Sequence, residues 1–426
     1  MGRNLTIPPS VKPGIPKLGV KPKDWREVTF NDILTVVMRP AEVEPNQRYQ
    51  LINAKRNRGG IVSRASVLGK QIKTPTQFFV ATNDFVISRR QIVHGACGIV
   101  PQELNGALVS NEYSTLVPKN GLLLSYLVYY THTVHFQQTC FNSSVGVAIE
   151  KMVFNLDHWL RHRLYLPPIK YQQKVVKVLA TTDRVIECMG RLIEAKRRLK
   201  KGLAQQLLTG RRRLPGCAKP WKKTALSSFG KCIRGVTYRA PNDLLPHDTE
   251  TSIRLLRAGN IVSGQIIHSD LQFVKVEKVQ ASQILREHDL AICMSSGSKA
   301  LVGKAGQYFP VNGYRYTVGA FCSIFRPKYN TAMALVPHLF DSEAYRRWIY
   351  VLTAGSSINN LTGKDIESFS IPLPTDLSEQ NSIASVLGAA DREIALLEKK
   401  LAALHELKKG LMQRLLTENY KAGDAR

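Results

Sequence analysis

Apolar residues recur at every third or fourth position over two long stretches of the chain, and this spacing predicts two amphipathic helices. The stretches run from Tyr171 to Thr209 and from Gln380 to Thr417. At 1.5 Å per residue each helix would be about 58 Å long, and its apolar seam would need a helical partner. The seam positions are Val175, Leu179, Ile186, Met189, Ile193, Leu203 and Leu207 in the first helix, and Ile383, Leu387, Ile394, Leu397, Leu401, Leu404, Leu411 and Leu415 in the second.

The two helices resemble each other in sequence. LKKGLAQQLLTG at Leu199 to Gly210 returns as LKKGLMQRLLTE at Leu407 to Glu418, and sixteen of 38 pairs are identical at a fixed offset of 208. Ordered self-similarity of this kind indicates a tandem duplication. Further matches upstream are Trp25 with Trp221, Ala54 and Gly60 with Ala258 and Gly264, and Asp84 and Gly98 with Asp289 and Gly303, the last two pairs each spaced by fourteen residues.

A globular part precedes each helix. Short β-branched runs interrupted by Gly, Asn and Asp predict mixed strands and turns there. The simplest partner for each seam is the other helix, and an antiparallel pair would place the globular parts at opposite ends of a rod. The prediction is an α+β fold with pseudo-twofold tandem duplication: an N-terminal arm at 1–24, globular domains at 25–165 and 221–372, an antiparallel coiled coil of long helices at 166–210 and 373–418, a linker at 211–220 and a tail at 419–426.

The charge of the chain narrows its partners. Sixty Lys and Arg against 32 Asp and Glu give a formal charge of +28, which repels itself unless a polyanion neutralises it. Nucleic acid is the first candidate. The longest apolar run, Gly121 to Tyr130, is about half a bilayer span, so no membrane segment is expected. Seven widely separated cysteines without a C-x-x-C motif fit a reducing cytoplasm rather than a disulfide framework or zinc ribbon.

A combination of motifs covers nearly the whole chain. It consists of Leu166-Pro167-Pro168 before the first helix, Gln172 and Gln380 inside the helix starts, the two helix endings quoted above, Trp25 and Trp221 at the domain starts, and ISRRQIVHGACGIVPQ at Ile87 to Gln102. The combination resembles the specificity subunit of type I restriction-modification enzymes, in which two target-recognition domains alternate with two conserved long helices.

The resemblance implies a non-catalytic reader of double-stranded DNA. Each recognition domain would read one half of a bipartite target, and the helix pair would set the gap and dock two methyltransferase subunits. Those subunits would use S-adenosylmethionine, and restriction subunits that combine a motor and a nuclease would use ATP and magnesium. No cofactor is expected in this chain itself.

The motifs of an independent enzyme are missing from the sequence. Neither an adenine-methylase tetrad nor a phosphate-binding G-x-x-x-x-G-K-[ST] loop occurs. Glu194 and Lys196 form a nuclease-like Glu-x-Lys, but i,i+2 side chains diverge on a helix. The histidine sets His132, His135 with Cys140, and His158 with His162, lack a convincing further ligand, so packing histidines are expected and no metal site.

Polar loops of the globular parts carry the candidate DNA contacts. Arg pairs with guanine and Asn or Gln with adenine, whereas Lys more often holds phosphate. The candidates are Lys55, Arg56, Asn57, Arg58, Arg64, Arg89, Arg90 and Gln91 in the first domain, and Arg254, Arg257, Asn260, Ser296, Ser298, Lys299, Lys304, Tyr314 and Arg315 in the second.

Two other classes of protein share these sequence features. A coiled-coil protein scaffold with an acidic partner would show no sequence-specific duplex binding. An RNA-binding module would prefer single-stranded RNA to duplex DNA.

The helices differ in charge. Residues 170–213 carry thirteen Lys and Arg against three acids, whereas residues 378–418 carry six of each. The hypothesis is that the first helix and Arg211 to Arg213 face the DNA between the half-sites; the alternative is a basic helix that is merely solvated.

Neutralising Lys196, Arg197, Arg198 and the arginine triplet should then weaken binding to all sequences alike and flatten its salt dependence, because phosphate contacts release counterions. Binding titrations over a range of salt concentrations check this. A changed sequence preference with an unchanged salt slope would contradict it.

Overall fold

The computed structural model describes residues 7–119, 121–240, 242–262, 264–311, 313–354 and 360–417. The chain forms two compact units: the first contains residues 1–189 and 400–426, and the second contains residues 190–399. The predicted tail at 419–426, the end of the second predicted helix at Glu418 and the first six residues of the predicted arm lie outside the described residues.

Helices and strands alternate along both units. The helices are α1 (Phe30–Ile33), α2 (Leu124–Tyr130), α3 (Val134–Asn142), α4 (Leu156–Leu160), α5 (Ile169–Leu208), α6 (Leu226–Phe229), α7 (Val336–Asp341), α8 (Glu343–Ala354), α9 (Gly363–Ser368) and α10 (Leu377–Leu416). The strands before α5 are β1 (Arg26–Thr29), β2 (Leu34–Val36), β3 (Pro40–Ala41), β4 (Arg48–Ala54), β5 (Ile61–Leu68), β6 (Gln77–Phe79), β7 (Phe85–Ser88), β8 (Cys97–Ile99), β9 (Leu108–Ser110), β10 (Tyr113–Pro118), β11 (Ser144–Val145), β12 (Val153–Phe154) and β13 (Arg163–Leu166). The strands after α5 are β14 (Trp221–Ala225), β15 (Gly230–Arg234), β16 (Leu244–Leu245), β17 (Ser252–Leu256), β18 (Ile261–Val262), β19 (Gln265–Ile266), β20 (Gln272–Lys275), β21 (Leu290–Cys293), β22 (Ala305–Gln307), β23 (Tyr316–Val318), β24 (Cys322–Pro327) and β25 (Ser370–Pro374).

The first head, from β1 to β13, is built on two sheets. One has the strand order β2-β10-β7-β8 and the other β3-β6-β9-β4-β5, while β1 closes the head by pairing antiparallel with β13. The aromatic core beside the helices is centred on Trp159, which stacks on Phe30 at 4.0 Å between ring centroids. A second core of aliphatic side chains, including Ile52, Val86 and Val109, fills the far side.

The second head, from β14 to β25, repeats this plan. Its sheets have the orders β15-β24-β21-β22-β19-β18 and β16-β20-β17-β23, and β14 pairs antiparallel with β25 as β1 does with β13. Trp221 and Trp25 occupy equivalent places at the start of the closing strands. The predicted α+β tandem duplication is therefore confirmed.

The same turn precedes an equivalent strand in both heads. That strand, β7 in the first head and β21 in the second, is called the central strand below. Asp84 and Asp289 are each only 1% exposed, and each carboxylate accepts a hydrogen bond from the backbone N–H three positions earlier, at 2.7 and 2.8 Å. The residue before each aspartate, Asn83 or His288, has a left-handed φ of 68° or 71°. Asn tolerates that region better than most side chains. The same turn therefore leads into β7 in the first head and into β21 in the second.

Different arginines neutralise the two buried aspartates. Arg39, which follows β2, places Nη1 2.6 Å from Asp84 Oδ2 and Nη2 3.1 Å from Oδ1. Arg326, in β24, places Nη2 2.7 Å from Asp289 Oδ2 and Nε 3.1 Å from Oδ1. A buried carboxylate without a cation is costly, and each head supplies that cation from a different element, the loop after β2 in the first head and β24 in the second.

The matched spacing of Gly98 and Gly303 does not reflect structural equivalence. Gly98 lies opposite Val86 in the β7–β8 ladder, and Gly306 lies opposite Ala291 in the β21–β22 ladder. Twelve residues separate the first pair (98 − 86) and fifteen the second (306 − 291), so the loop of the second head is three residues longer. The match of Gly60 with Gly264 is also wrong, because Gly60 directly precedes β5 whereas Gly264 lies between β18 and β19.

A glutamine fixes the start of each long helix. Gln172 is fully buried, and its side-chain N–H groups donate to the carbonyls of Pro167 and Gly121 at 2.9 Å. Gln380 donates in the same way to the carbonyl of Pro374, at 2.7 Å. The carbonyls of Pro167 and Pro374 stand where the closing strand passes into the helix, so the amide sets the direction in which the helix leaves the head.

The long helices pair antiparallel inside each unit. In the first unit, Tyr171 donates to the carbonyl of Leu415 at 3.3 Å, and Asp183 pairs with Lys408. Residue numbers therefore increase along α5 as those of its partners in α10 decrease. In the second unit Arg197 pairs with Glu398 at 2.6 Å and Lys200 with Asp391 at 2.7 Å, again in falling order. All fifteen predicted seam residues are buried or half-buried.

One cross-helix ion pair occurs twice, at positions 208 residues apart. Lys200 of α5 meets Asp391 of α10 in the second unit, and Lys408 of α10 meets Asp183 of α5 in the first, at 2.7 and 2.6 Å. The Lys side chains are 17% and 24% exposed, so solvent screens these pairs only in part.

A residue of each head joins this ion pair. Tyr129 of α2 donates to Asp183 Oδ2 at 2.9 Å, and Asp341 of α7 lies 3.2 Å from Lys200 Nζ. Burial opposes the charged form of Lys200, but the carboxylates of Asp391 and Asp341 outweigh it and raise its pKa. The pair therefore ties a head to both helices of its unit.

Lys200→Met should lower the free energy of unfolding by about 1–2 kcal/mol, because two carboxylates lose a half-buried cation while the alkyl stem is kept. Urea denaturation followed by helical circular dichroism measures this. Glu406→Gln, which removes only an exposed i,i+3 pair with Lys409, is the control and should leave the midpoint unchanged. Equal midpoints for the two variants would contradict the assignment.

Candidate nucleic-acid interface

Arg56 is the centre of a polar cluster in the first head. It lies in the 3₁₀ turn Arg56–Arg58 between β4 and β5, and its Nε donates to Gln91 Oε1 at 2.7 Å. Its Nη2 donates to Glu150 Oε2 at 2.6 Å. Two predicted contacts that are far apart in sequence, Arg56 and Gln91, are thus brought together, and Glu150, an acid that the sequence did not single out, holds Arg56.

A buried histidine lies against this cluster. His94 is 1% exposed, and its Nε2 lies 3.2 Å from Glu150 Oε1 without the alignment of a hydrogen bond. Its Nδ1 lies 3.1 Å from the hydroxyl of Ser10, so the N-terminal arm reaches the cluster. Burial and the nearby Arg56 lower the pKa of His94, whereas the hydrogen bond from Arg56 lowers the pKa of Glu150. The histidine is therefore neutral and the glutamate ionised near pH 7.

The other candidates of the first head divide into paired and exposed groups. Arg90 forms a fork with the carboxylate of Glu112, at 2.7 and 3.2 Å, and this hydrogen bond lowers the pKa of Glu112. Arg58 is half-buried and its Nε donates to the carbonyl of Thr131, so this N–H group supports the loop and is not available to DNA. Arg89 is half-buried and pairs its backbone with β12 and Glu112, whereas Lys55, Asn57 and Arg64 are exposed.

In the second head Arg254 is held on three sides. Its Nε donates to Asp248 at 2.8 Å, its Nη1 donates to the Tyr316 hydroxyl at 2.8 Å, and its guanidinium carbon lies 3.2 Å from the ring centroid of Tyr314. Arg257 pairs with Asp270 at 2.7 Å. Both arginines are therefore oriented by acids, and Arg254 by aromatic rings as well, before any ligand is present.

Asn260 has a structural role and is not a free base-reading group. It is 4% exposed, its amide N–H groups donate to the carbonyls of Ile267 and Ser269, and its oxygen accepts from Arg257 N. An amide with all these groups engaged fixes the β17–β18 turn. The remaining candidates of this head lie on loops: Ser298, Lys299, Tyr314 and Arg315 are exposed, and Ser296 and Lys304 are half-buried.

The basic residues of α5 are less available than their number suggests. Lys196 pairs with Glu393 and Arg197 with Glu398, both at 2.6 Å, and Arg213 forms a fork on the buried Glu379. Some of the cations counted for the hypothesis that the first helix and Arg211 to Arg213 face the DNA are therefore paired with acids of α10, and the hypothesis itself stays a prediction. Arg198, Arg211 and Arg212 are exposed.

The acids at these sites could not be found from local sequence. Glu150 is 94 residues from Arg56 and Glu112 is 22 residues from Arg90.

The side chains considered for catalysis or metal binding have ordinary partners. Ser143 Oγ contacts both His158 Nδ1 at 2.9 Å and His162 Nε2 at 3.1 Å, while His135 Nδ1 lies 2.8 Å from the Tyr130 hydroxyl. Burial lowers the pKa of His135 to about 4. Glu194 pairs with Arg197 on its own helix. Within the described ranges no group of three or more His, Cys, Asp or Glu could hold a metal ion.

Among the helices that the structure describes, none combines the length and the apolar character of a membrane span.

Each unit therefore combines a mixed head with an antiparallel helix pair, and each head presents guanidinium groups oriented by carboxylates. The chain belongs to the family of type I restriction modification DNA specificity domains, whose model matches residues 22–196 and 219–406.

Curated relatives support this assignment. The chain is 32% identical over 197 residues to the EcoKI specificity subunit of Escherichia coli K12, a match that covers 46% of this chain and 41% of that protein. Over most of its length it is similar to the MjaVIII specificity subunit of Methanocaldococcus jannaschii, with 22% identity and 93% of both chains covered.

Solved structures share the fold. One chain of a type I R-M system covers 94% of this chain and all of its own length, with a TM-score of 0.58 and 15% identity. The type I S subunit from M. genitalium covers 96% of this chain and all of its own length, with a TM-score of 0.55 and 14% identity.

Glu150→Gln should strengthen binding to a non-target duplex and steepen its salt dependence by up to about one unit of log K per log salt, because Arg56 gains a free edge for phosphate. Anisotropy titrations of labelled duplex at several salt concentrations measure this. Glu103→Gln, which removes an exposed carboxylate of the same head, is the matched control. If both variants change the slope equally, Glu150 does not restrain Arg56.

Proposed function

We propose that the chain is the sequence-specific DNA-recognition subunit of a type I restriction-modification system. Each head reads one half of a bipartite target in double-stranded DNA, and the helix pair sets the gap between the halves. The family supports this assignment, as does a net charge of +28.

The observation that carries the proposal is the combination of a shared scaffold with unlike polar surfaces. The closing strands, the buried aspartate turn and the helix-entry glutamine are the same in both heads. The loop after the central strand is three residues longer in the second head, and the side chains on it differ. Two readers of one plan with different surfaces suit a target with two different halves.

The chain is proposed to act without catalysing a reaction itself. Two methyltransferase subunits would dock on the helix pair and supply S-adenosylmethionine chemistry, including removal of the target adenine from the base stack. Restriction subunits would supply ATP- and magnesium-dependent translocation and cleavage. The place of action is the cytoplasm, where the host DNA is.

Methylome sequencing of a host that expresses this chain with its cognate methyltransferase tests the proposal. The expected result is a split motif with methylated adenine on both strands. A host that expresses the methyltransferase alone is the control and should lack the motif.

Four other outcomes would overturn the proposal. Methylation of a continuous motif would contradict the reading of one half-site by each head. Retention of the motif without this chain would place recognition elsewhere. Preference of the purified complex for single-stranded RNA, or absence of sequence-specific duplex binding, would favour the RNA-binding module or the protein scaffold.

A further inference from the structure

A tight turn beside the central strand occupies the same position in both heads. It precedes β10 in the first head and β24 in the second. In the ladders Leu116 lies opposite Phe85 and Phe325 lies opposite Leu290. Counting back four residues from Leu116 and from Phe325 makes Glu112 and Phe321 structural equivalents.

The backbone hydrogen bonds agree with this equivalence. The carbonyl of Glu112 accepts from Arg89 N at 2.8 Å, and the carbonyl of Phe321 accepts from Met294 N at 2.8 Å and from Ser295 N at 3.2 Å. In both heads the turn is therefore fixed to the first residues of the loop that follows the central strand.

The side chains at this shared position differ in chemistry. In the first head Glu112 holds the guanidinium of Arg90 in a fork. In the second head the residue is a phenylalanine with 71% of its surface exposed, and its backbone neighbour on the loop is Ser295. The ion pair of the first head is thus replaced by an exposed aromatic ring in the second head.

The ring of Phe321 stands on rigid backbone. The next residue, Cys322, is 1% exposed, begins β24 and donates to the carbonyl of Gly319 at 2.8 Å. The adjoining loop is fixed as well, because Arg346 of α8 donates to the carbonyls of Val302 and Ala300. An exposed apolar side chain held on an ordered turn can contact a ligand with little loss of conformational entropy.

The equivalent turn of the first head lies in the cluster of candidate reading groups. Arg90 donates a hydrogen bond to Glu112 of this turn, and Gln91, the next residue, accepts one from Arg56. The shared scaffold places Phe321 at the corresponding turn of the second head, hydrogen-bonded to Ser295, the residue before the predicted contact Ser296.

We propose that Phe321 is a specificity-determining residue of the second head and that it reads the 5-methyl group of a thymine in the major groove. This rests on the proposed function. Apolar side chains recognise thymine through that methyl group, which the other three bases lack. The equivalent turn of the first head holds Glu112, which orients Arg90, so the two heads read different bases from equivalent turns.

Replacing thymines of the second half-site with deoxyuridine, one at a time, tests the proposal without altering the protein. Binding of the chain in complex with its methyltransferase should fall about fourfold at one position, since a buried methyl group contributes about that factor. The same substitutions in the first half-site should show no dependence on Phe321. If no thymine position in the second half-site responds, the inference is wrong.

Variants then assign that effect to the side chain. Phe321→Ala should bind thymine and deoxyuridine targets equally and relax the methylated motif at that base pair, and Phe321→Leu should keep part of the preference. Tyr329→Ala is the matched control, because Tyr329 is 85% exposed just beyond the other end of β24. It should behave as wild type.

The outcomes separate this inference from the proposed function. If the wild-type complex binds no split target, the proposed function fails. If it binds one and Phe321→Ala keeps the full response to deoxyuridine, only the assignment of Phe321 fails. Unchanged thermal midpoints for Phe321→Ala and Tyr329→Ala show that folding is not the cause of the difference.

Discussion

The ion pair between a lysine of one long helix and an aspartate of the other is the constraint on which each unit depends. It fixes the axial register of two helices whose leucine-rich seams alone would tolerate a shift by one turn. Lys200 with Asp391 serves the second unit, and Lys408 with Asp183 serves the first. Because Asp341 and Tyr129 join these pairs, the orientation of a head relative to its own helix pair is set by the same few atoms.

Much of this architecture follows from the sequence because helical repeats preserve spacing. The fixed offset of 208 locates both the seam and the cross-helix pair, and Trp25 with Trp221 marks the closing strands of the heads. The glycine matches inside the heads failed for a physical reason: loops change length without cost to the sheet. Gly98 and Gly306 are equivalent by register, yet a three-residue insertion placed Gly303 at the expected distance instead.

The candidate interface could be predicted only as a set of residue types. The sequence pointed to Arg56, Arg90 and Gln91, and the structure joins them in one surface. It could not indicate Glu150, Glu112 or Asp270, because the partner of a guanidinium is chosen by folding and lies at no fixed spacing. The same limitation affected α5. The number of Lys and Arg in its sequence overstated how many of them are unpaired, because several form ion pairs with acids of α10.

The make-up of the first unit has a consequence for biosynthesis. Its core contains Val175 and Leu179 from α5, but also Leu416, together with Leu411 and Leu415 at its edge, from the last turns of α10. An N-terminal domain usually folds as soon as it leaves the ribosome. Here the hydrophobic surface that Leu416 covers stays open until residue 416 is translated, so the part of the protein that is made first is finished last. Chaperone protection during synthesis would be needed longest by the N-terminal half, and a truncated message would leave the earlier unit, rather than the later one, with an unfilled core.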